Sequence, residues 1–366
     1  VSAAEHFVDR ENSPRQRVAG RIPPAIAIGV LSVALAVTVI AAIGTGAFPI
    51  LPTQAIAILL RPVLDLGVEY SPQQDTVLHA IRLPRVLLGI LTGAGLALAG
   101  AGMQGLFRNP LADPGLVGVS GGAALAAATV IVMGALWMPG LSRMLGLFTL
   151  PLAAFLGGLV VTVLVYQLAG LGGRTSLAVM LLAGIAVNAL VGAGIGMFTY
   201  IASDEQLRNL TFWSLGSLAG ANWQMLAVIA PCVIAAAALL LRFAKPLNAL
   251  ALGEREAGHL GVNVEHLKFA VIAAAALIVG ALVAVTGMIG FIGLVAPHMV
   301  RLACGPDHRV LLPAAALLGG ILIVLADLAA RTVVAPAELP IPVLTRLLAA
   351  PFFLALLVKD RRRLTI

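Results

Sequence analysis

Residues 83–106 read LPRVLLGILTGAGLALAGAGMQGL, and no charged residue follows Arg85 until Arg108. A helix of about 20 apolar residues crosses the hydrocarbon core of a bilayer, so this stretch is long enough to span one. It is also rich in glycine, at Gly89, Gly93, Gly95, Gly100, Gly102 and Gly105. Gly89 and Gly93 stand four apart, as do Gly192 and Gly196 in a second apolar stretch. Small residues at that spacing let helix backbones approach where lipid gives no hydrophobic drive. The reading is an all-α protein whose helices pack tightly inside a membrane bundle.

The rest of the chain agrees. Of 366 residues, 60% are hydrophobic and 11% charged, and mean hydropathy is +1.05. Soluble domains carry about 25% charged residues. A water-soluble enzyme, a nucleic-acid binder and a disordered chain are all poor fits. The net charge of +7 reads as the basic bias of the cytoplasmic side of a membrane protein rather than as a nucleic-acid footprint. Cys232 and Cys304 sit in apolar stretches, so no disulfide framework is indicated.

About ten spans fit the length. They are placed at 25–43, 83–106, 116–136, 147–170, 177–200, 223–242, 268–286, 289–303, 310–330 and 344–358. Residues 1–24 read as a cytoplasmic tail, 25–358 as the transmembrane domain and 359–366 as a second cytoplasmic tail. Polar segments at 203–222, with amphipathic character, and at 245–266 lie between spans. With both termini cytoplasmic, 16 of the 23 lysines and arginines fall on the cytoplasmic side, as the orientation rule requires. A weak repeat relates residues 101–107 to 286–292, although chance similarity between glycine-rich segments explains it as well.

Several chemistries are missing. None of Lys245, Lys268 and Lys359 follows the phosphate-loop pattern G-x-x-x-x-G-K-[ST]. No His/Cys cluster has metal-ligand spacing, and His259, His266, His298 and His308 read as loop or helix-end residues. Ion-coupled carriers place acids within their spans. Here the clear candidate is Asp327, one helical turn before Arg331, where a local pair would explain it. An external energy source, a separate ATPase subunit, is then the stronger reading. Leu252-Gly253-Glu254-Arg255-Glu256-Ala257-Gly258-His259-Leu260-Gly261 offers a contact for it. This is a short helix between glycines, apolar at Ala257 and Leu260, with Gly261 suited to a helix stop. A solvated connector is the alternative.

Arg82-Leu83-Pro84-Arg85, Gly102-Met103-Gln104 and Asn109-Pro110-Leu111-Ala112-Asp113-Pro114-Gly115 resemble the second-span signature of the FecCD family. These are the permeases of iron-siderophore, haem and cobalamin ABC importers. The 252–261 segment resembles that family's coupling helix. Gly290–His298 resembles its G-F-x-G-L-x-x-P-H motif, and Ala326-Asp327, Arg331, Glu338-Leu339-Pro340 and Ala350-Pro351-Phe352-Phe353 resemble its C-terminal signature. The likeness covers about residues 25–358. It departs near Pro342, Arg346 and Ala349, where the family usually has glycines. Residues 331–340 are most similar to haem permeases.

The resemblance implies a type II ABC importer permease in the bacterial inner membrane, surrounded by lipid. Two copies would form a homodimer around a central path for haem, or for a ferric siderophore or cobalamin. Two ATPase subunits would take up ATP and bind Leu252, Gly253, Glu254, Ala257, Leu260 and Gly261. A periplasmic substrate-binding protein would dock at Arg82, Arg85 and Arg331, for which anchoring of helix ends is the alternative. Asn109 and Leu111 match a cytoplasmic gate, and Thr175 and Ser176 lie in the other gate loop. Met103, Met197 and Met288 are candidates to line the path, with core packing as the alternative for each. No intrinsic cofactor, resident metal or catalytic residue is implied. The competing classes are an ion-coupled secondary carrier, which would need no ATPase, and a membrane-embedded enzyme, for which no catalytic constellation is found.

Overall fold

The computed structural model describes residues 22–364 apart from 47, 62, 65, 138, 172 and 173. The tail at 1–24 therefore lies almost wholly outside the described residues, as do the side chains of the basic C-terminal cluster.

Among the described residues the regular structure is helical, save for one hairpin of two two-residue strands. In order come α1 (Pro24–Gly44), α2 (Pro52–Leu60), α3 (Pro72–Val77), α4 (Leu83–Phe107), α5 (Val119–Trp137), α6 (Pro139–Leu145) and α7 (Thr149–Leu168). The strands β1 (Gly170–Leu171) and β2 (Arg174–Thr175) pair antiparallel. Then follow α8 (Leu177–Ile201), α9 (Asp204–Leu215), α10 (Trp223–Arg242), α11 (Ala244–Leu250), α12 (Glu254–His259), α13 (Val264–Thr286), α14 (Ile292–Cys304), α15 (His308–Thr332) and α16 (Ile341–Leu364). Among the described residues, seven helices are long and apolar enough to cross a membrane, and three shorter apolar helices accompany them. The expected count of ten holds as an approximation.

The helix α4 lies at the centre, as its glycines indicated. It packs most extensively on α15 and also touches α10, α13 and α14. A Cβ added to Gly93 would lie 2.0 Å from the carbonyl oxygen of Gly319 on α15. One added to Gly100 would lie 1.9 Å from that of Gly293 on α14. Around this centre α1, α7, α8 and α10 each bury only a narrow face, as helices bordering lipid or another chain do. Gly192 and Gly196 depart from the expectation of close packing. Both are exposed, with nothing within 4 Å of an added Cβ.

Other differences are local. The eighth span, α14, has 13 residues and at 1.5 Å per residue is only about 20 Å long. The link at 287–291 that precedes it is not helical, whereas 101–107 lie inside α4. The suggested repeat therefore has no structural counterpart. The 203–222 segment contains α9, which starts at a capping box: Ser203 Oγ accepts from the Gln206 amide at 3.3 Å and Gln206 accepts from the Ser203 amide at 2.9 Å. A five-residue π turn, Leu78–Arg82, joins α3 to α4. Such a turn shifts helical phase, and its last residue, Arg82, faces inward and is buried.

Candidate functional site

Two ends of the bundle hold the residues singled out in the sequence, and they differ in character. The end carrying α12 is built as follows. Gly253 and Gly261 bracket α12 with φ of 129° and 83°, values that glycine adopts at little cost. Ala257 is fully buried, whereas Leu252 and Leu260 are 67% and 64% exposed. The short helix is thus pinned by Ala257 and presents two leucines outward. Of the residues expected at the ATPase contact, Ala257 therefore faces the permease and the two leucines face outward. The preceding α11 is fastened to the start of α15. Asn248 Nδ2 donates to Asp307 at 2.6 Å, and Asn248 Oδ1 accepts from the His308 amide at 2.9 Å. The Asp307 carboxyl is held below the ordinary aspartate range, first by the Arg309 amide, against the opposing effect of burial, and then by Asn248.

The two expected gate stretches lie at this same end. Asn109 Oδ1 accepts from the Leu111 amide at 2.9 Å, a local turn that leaves Leu111 exposed. Thr175 closes β2 and is buried. Ser176 caps α8, its Oγ accepting from the Val179 amide at 3.4 Å. The Gly172-Gly173 turn lies outside the described residues. A cavity of about 520 Å³ opens here, bordered by Arg108, Thr175, Ser176, Leu181 and Glu254.

One residue was not singled out in the sequence. Lys268 on α13 is 2% exposed. Its ammonium donates to the Thr175 carbonyl at 2.8 Å, to Glu254 at 3.0 Å and to Glu265 at 3.0 Å. Glu265 also accepts from the Thr175 amide at 2.9 Å. The signal was the Glu265/Lys268 spacing of three on one helix face, which marks a local pair but not the link to Thr175.

The opposite end, carrying α2 and α3, holds the three arginines. The last carbonyls of a helix have no partner within it, and those of α1 are taken up here. Arg82 donates to the carbonyls of Ile43 and Phe48, and to that of Gly44 at 2.9 Å. Arg331 donates to the carbonyl of Ala42 and to that of Thr45 at 2.7 Å. Arg85 pairs with Asp327 at 2.8 Å and with Glu338 at 2.8 Å. Asp327 also lies 3.5 Å from Arg331, the local pair that its spacing suggested. Docking of an acidic partner needs outward-facing charge. All three guanidiniums are engaged within the chain: Arg82 and Arg331 hold the end of α1, as the anchoring alternative describes, and Arg85 holds Asp327 and Glu338.

The three methionines separate. Met103 is fully buried in the core, so its role is packing and it faces no path. Met288 is partly buried against the core. Met197 is exposed on α8. His298 lies within α14, its ring 5.8 and 6.1 Å from those of Phe352 and Phe353. Among the described residues no group of three His, Cys, Asp or Glu is placed to hold a metal ion.

A buried glycine-rich helix, peripheral spans and a short bracketed helix at one end define a multi-pass membrane permease. Residues 34–359 match the model of the FecCD transport family. The chain is 43% identical over 347 residues to the hemin transport system permease protein HmuU of Yersinia pestis, covering 94% of this chain and 98% of that one. It is 42% identical over 311 residues to the cobalamin import system permease protein BtuC of Halobacterium salinarum, covering 85% of this chain and 80% of that one. A solved structure described as an inward-facing conformation of a metal-chelate type ABC transporter aligns with TM-score 0.79 and 32% identity, over 92% of this chain and 100% of that one. The chain belongs to the FecCD family and is a permease subunit of an ABC importer.

Proposed function

We propose that this permease carries haem from the periplasm to the cytoplasm. The near end-to-end likeness to a hemin permease carries the reading. In this reading two copies face each other across a central path, and the exposed strip of α8 with Met197 borders it. Haem is large, flat and mostly apolar, so a wall of small and apolar groups lets it pass without a ligating site that would hold it. Two ATPase subunits bind at the α12 end through Leu252 and Leu260, and a substrate-binding protein docks at the α2 end. Both termini then lie in the cytoplasm, and the membrane is the bacterial inner membrane.

The test is uptake into proteoliposomes holding the permease, its ATPase and its binding protein, with haem, a ferric siderophore and cobalamin compared. ATP-dependent haem accumulation is expected. Uptake of cobalamin or siderophore without haem would move the substrate and leave the family standing. Accumulation driven by a proton or sodium gradient without the ATPase would overturn the energy source.

A further inference from the structure

Lys268 occupies the one point where α12, α13 and the start of α8 meet through a single charged group. Its ammonium has three protons, and each has a different taker. One goes to Glu254, the first residue of α12. One goes to Glu265, in the first turn of α13. The third goes to the main-chain carbonyl of Thr175, immediately before the Ser176 cap of α8. Glu265 holds the Thr175 amide as well, so this peptide segment is gripped on both its donor and its acceptor.

We infer that Lys268 is a positioning residue that transmits displacement of α12 to the entrance of α8. The inference rests on the reading of Thr175–Ser176 as a gate and of α12 as the ATPase contact. The two outward leucines, Leu252 and Leu260, flank α12 and receive the partner's motion. Glu254 moves with that helix, and its carboxylate is bound to the same ammonium that holds the Thr175 carbonyl. A shift of Glu254 therefore either drags the ammonium away from Thr175 or carries Thr175 with it. Charge-assisted hydrogen bonds of 2.8–3.0 Å are about twice as strong as neutral ones, and the ammonium and Thr175 are buried while the two carboxylates reach the cavity. The adjoining cavity leaves room for the movement. A lysine that merely fills space would need neither Glu254 nor Thr175, the two acceptors that lie on other elements.

The experiment uses the permease assembled with its ATPase and binding protein in lipid. Cys232 and Cys304 are replaced by alanine, and Ala178→Cys, on the exposed side of the first turn of α8, is labelled with a soluble maleimide with and without ATP. With Lys268 present, ATP is expected to change the labelling rate. With Lys268→Met the rate is expected to be the same in both conditions, and haem taken up per ATP hydrolysed to fall at least about fivefold, the lower end of site-to-site coupling. Lys268→Arg, which keeps a charge and several donors, is expected to retain a response. Should Lys268→Met fail to assemble, Glu254→Gln cuts only the α12 arm and is expected to abolish the response too. An ATP response that survives in Lys268→Met or Glu254→Gln overturns the inference and leaves the gate standing. No response even with Lys268 intact removes the gate, and the inference falls with it.

Discussion

Arg85 on α4 and Asp327 on α15 stand 242 positions apart and meet through Nε at 3.0 and 3.1 Å and Nη2 at 2.8 Å. Both side chains are largely withdrawn from solvent. Removing one partner of such a pair leaves an uncompensated buried charge and costs about 3–5 kcal/mol. Asp327→Ala should therefore lower the thermal midpoint in detergent sharply, because Arg85 and Arg331 then face each other. The double change Arg85→Met, Asp327→Leu should recover part of the loss. If Asp327→Ala melts like the parent, the pair is not a frame element.

Acid should loosen the same end. Hydrogen bonds from Arg85, then burial in the opposite sense, then the charges of Arg85 and Arg331 set the Glu338 carboxyl below the ordinary glutamate range. The unfolded chain takes up that proton more readily, near pH 4.3 or so. The contribution is thus complete above that pH and is lost as pH falls through the lower folded value. Thermal midpoints should hold between neutral pH and about pH 5 and then drop. Glu338→Gln should flatten that part of the profile, and an unchanged slope would exclude Glu338 as a contributor.

The glycines divide into two groups with opposite expectations. Gly93→Ala and Gly100→Ala place a methyl group within 2.0 Å of a backbone oxygen. No flexible side chain is there to yield, so the cost should reach or exceed the about 1–3 kcal/mol of ordinary overpacking. Gly192→Ala meets open space and should change stability by no more than about 0.5 kcal/mol. Monodispersity and melting of the purified variants read the contrast directly.

At the α12 end, purified permease alone should hydrolyse no ATP. Leu252→Asp with Leu260→Asp should weaken capture of the ATPase at least about tenfold, a loss of ~1.4 kcal/mol. Ala257→Leu should act differently, by disturbing the permease fold itself, since Ala257 has no exposed surface. Retention of the ATPase by the double aspartate variant would place the contact elsewhere.

The span pattern was legible because long uncharged runs read as helices in a bilayer, and the close packing of α4 was legible in its glycines. The α14 helix starts three residues later than the span placed at 289–303, because apolar composition does not show where a helix starts and the left-handed Phe291 stands just before its first turn. Gly192 and Gly196 have the spacing of a packing pair but, within this chain, no backbone opposite them. The contacts of Arg82 and Arg331 were not legible for a different reason. Their carbonyl partners on α1 carry no side-chain signature, so Arg82 and Arg331 look alike in sequence whether they face water or a helix end. Lys268 was hidden for the same reason, since the Thr175 carbonyl that it binds exists at every residue.

The capping of α1 has a bearing on the order of synthesis. Arg331 reaches the carbonyl of Ala42 from 289 positions further along, so α1 enters the bilayer long before that cap exists. Arg85 likewise waits for Asp327. Until α15 emerges from the ribosome, the end of α1 lacks the Arg331 half of its cap, and Arg85 at that end of the bundle is without Asp327. A chain that stalls before that point is distinguishable from a finished one by open backbone groups at the membrane surface, which gives quality control a physical mark of incompleteness.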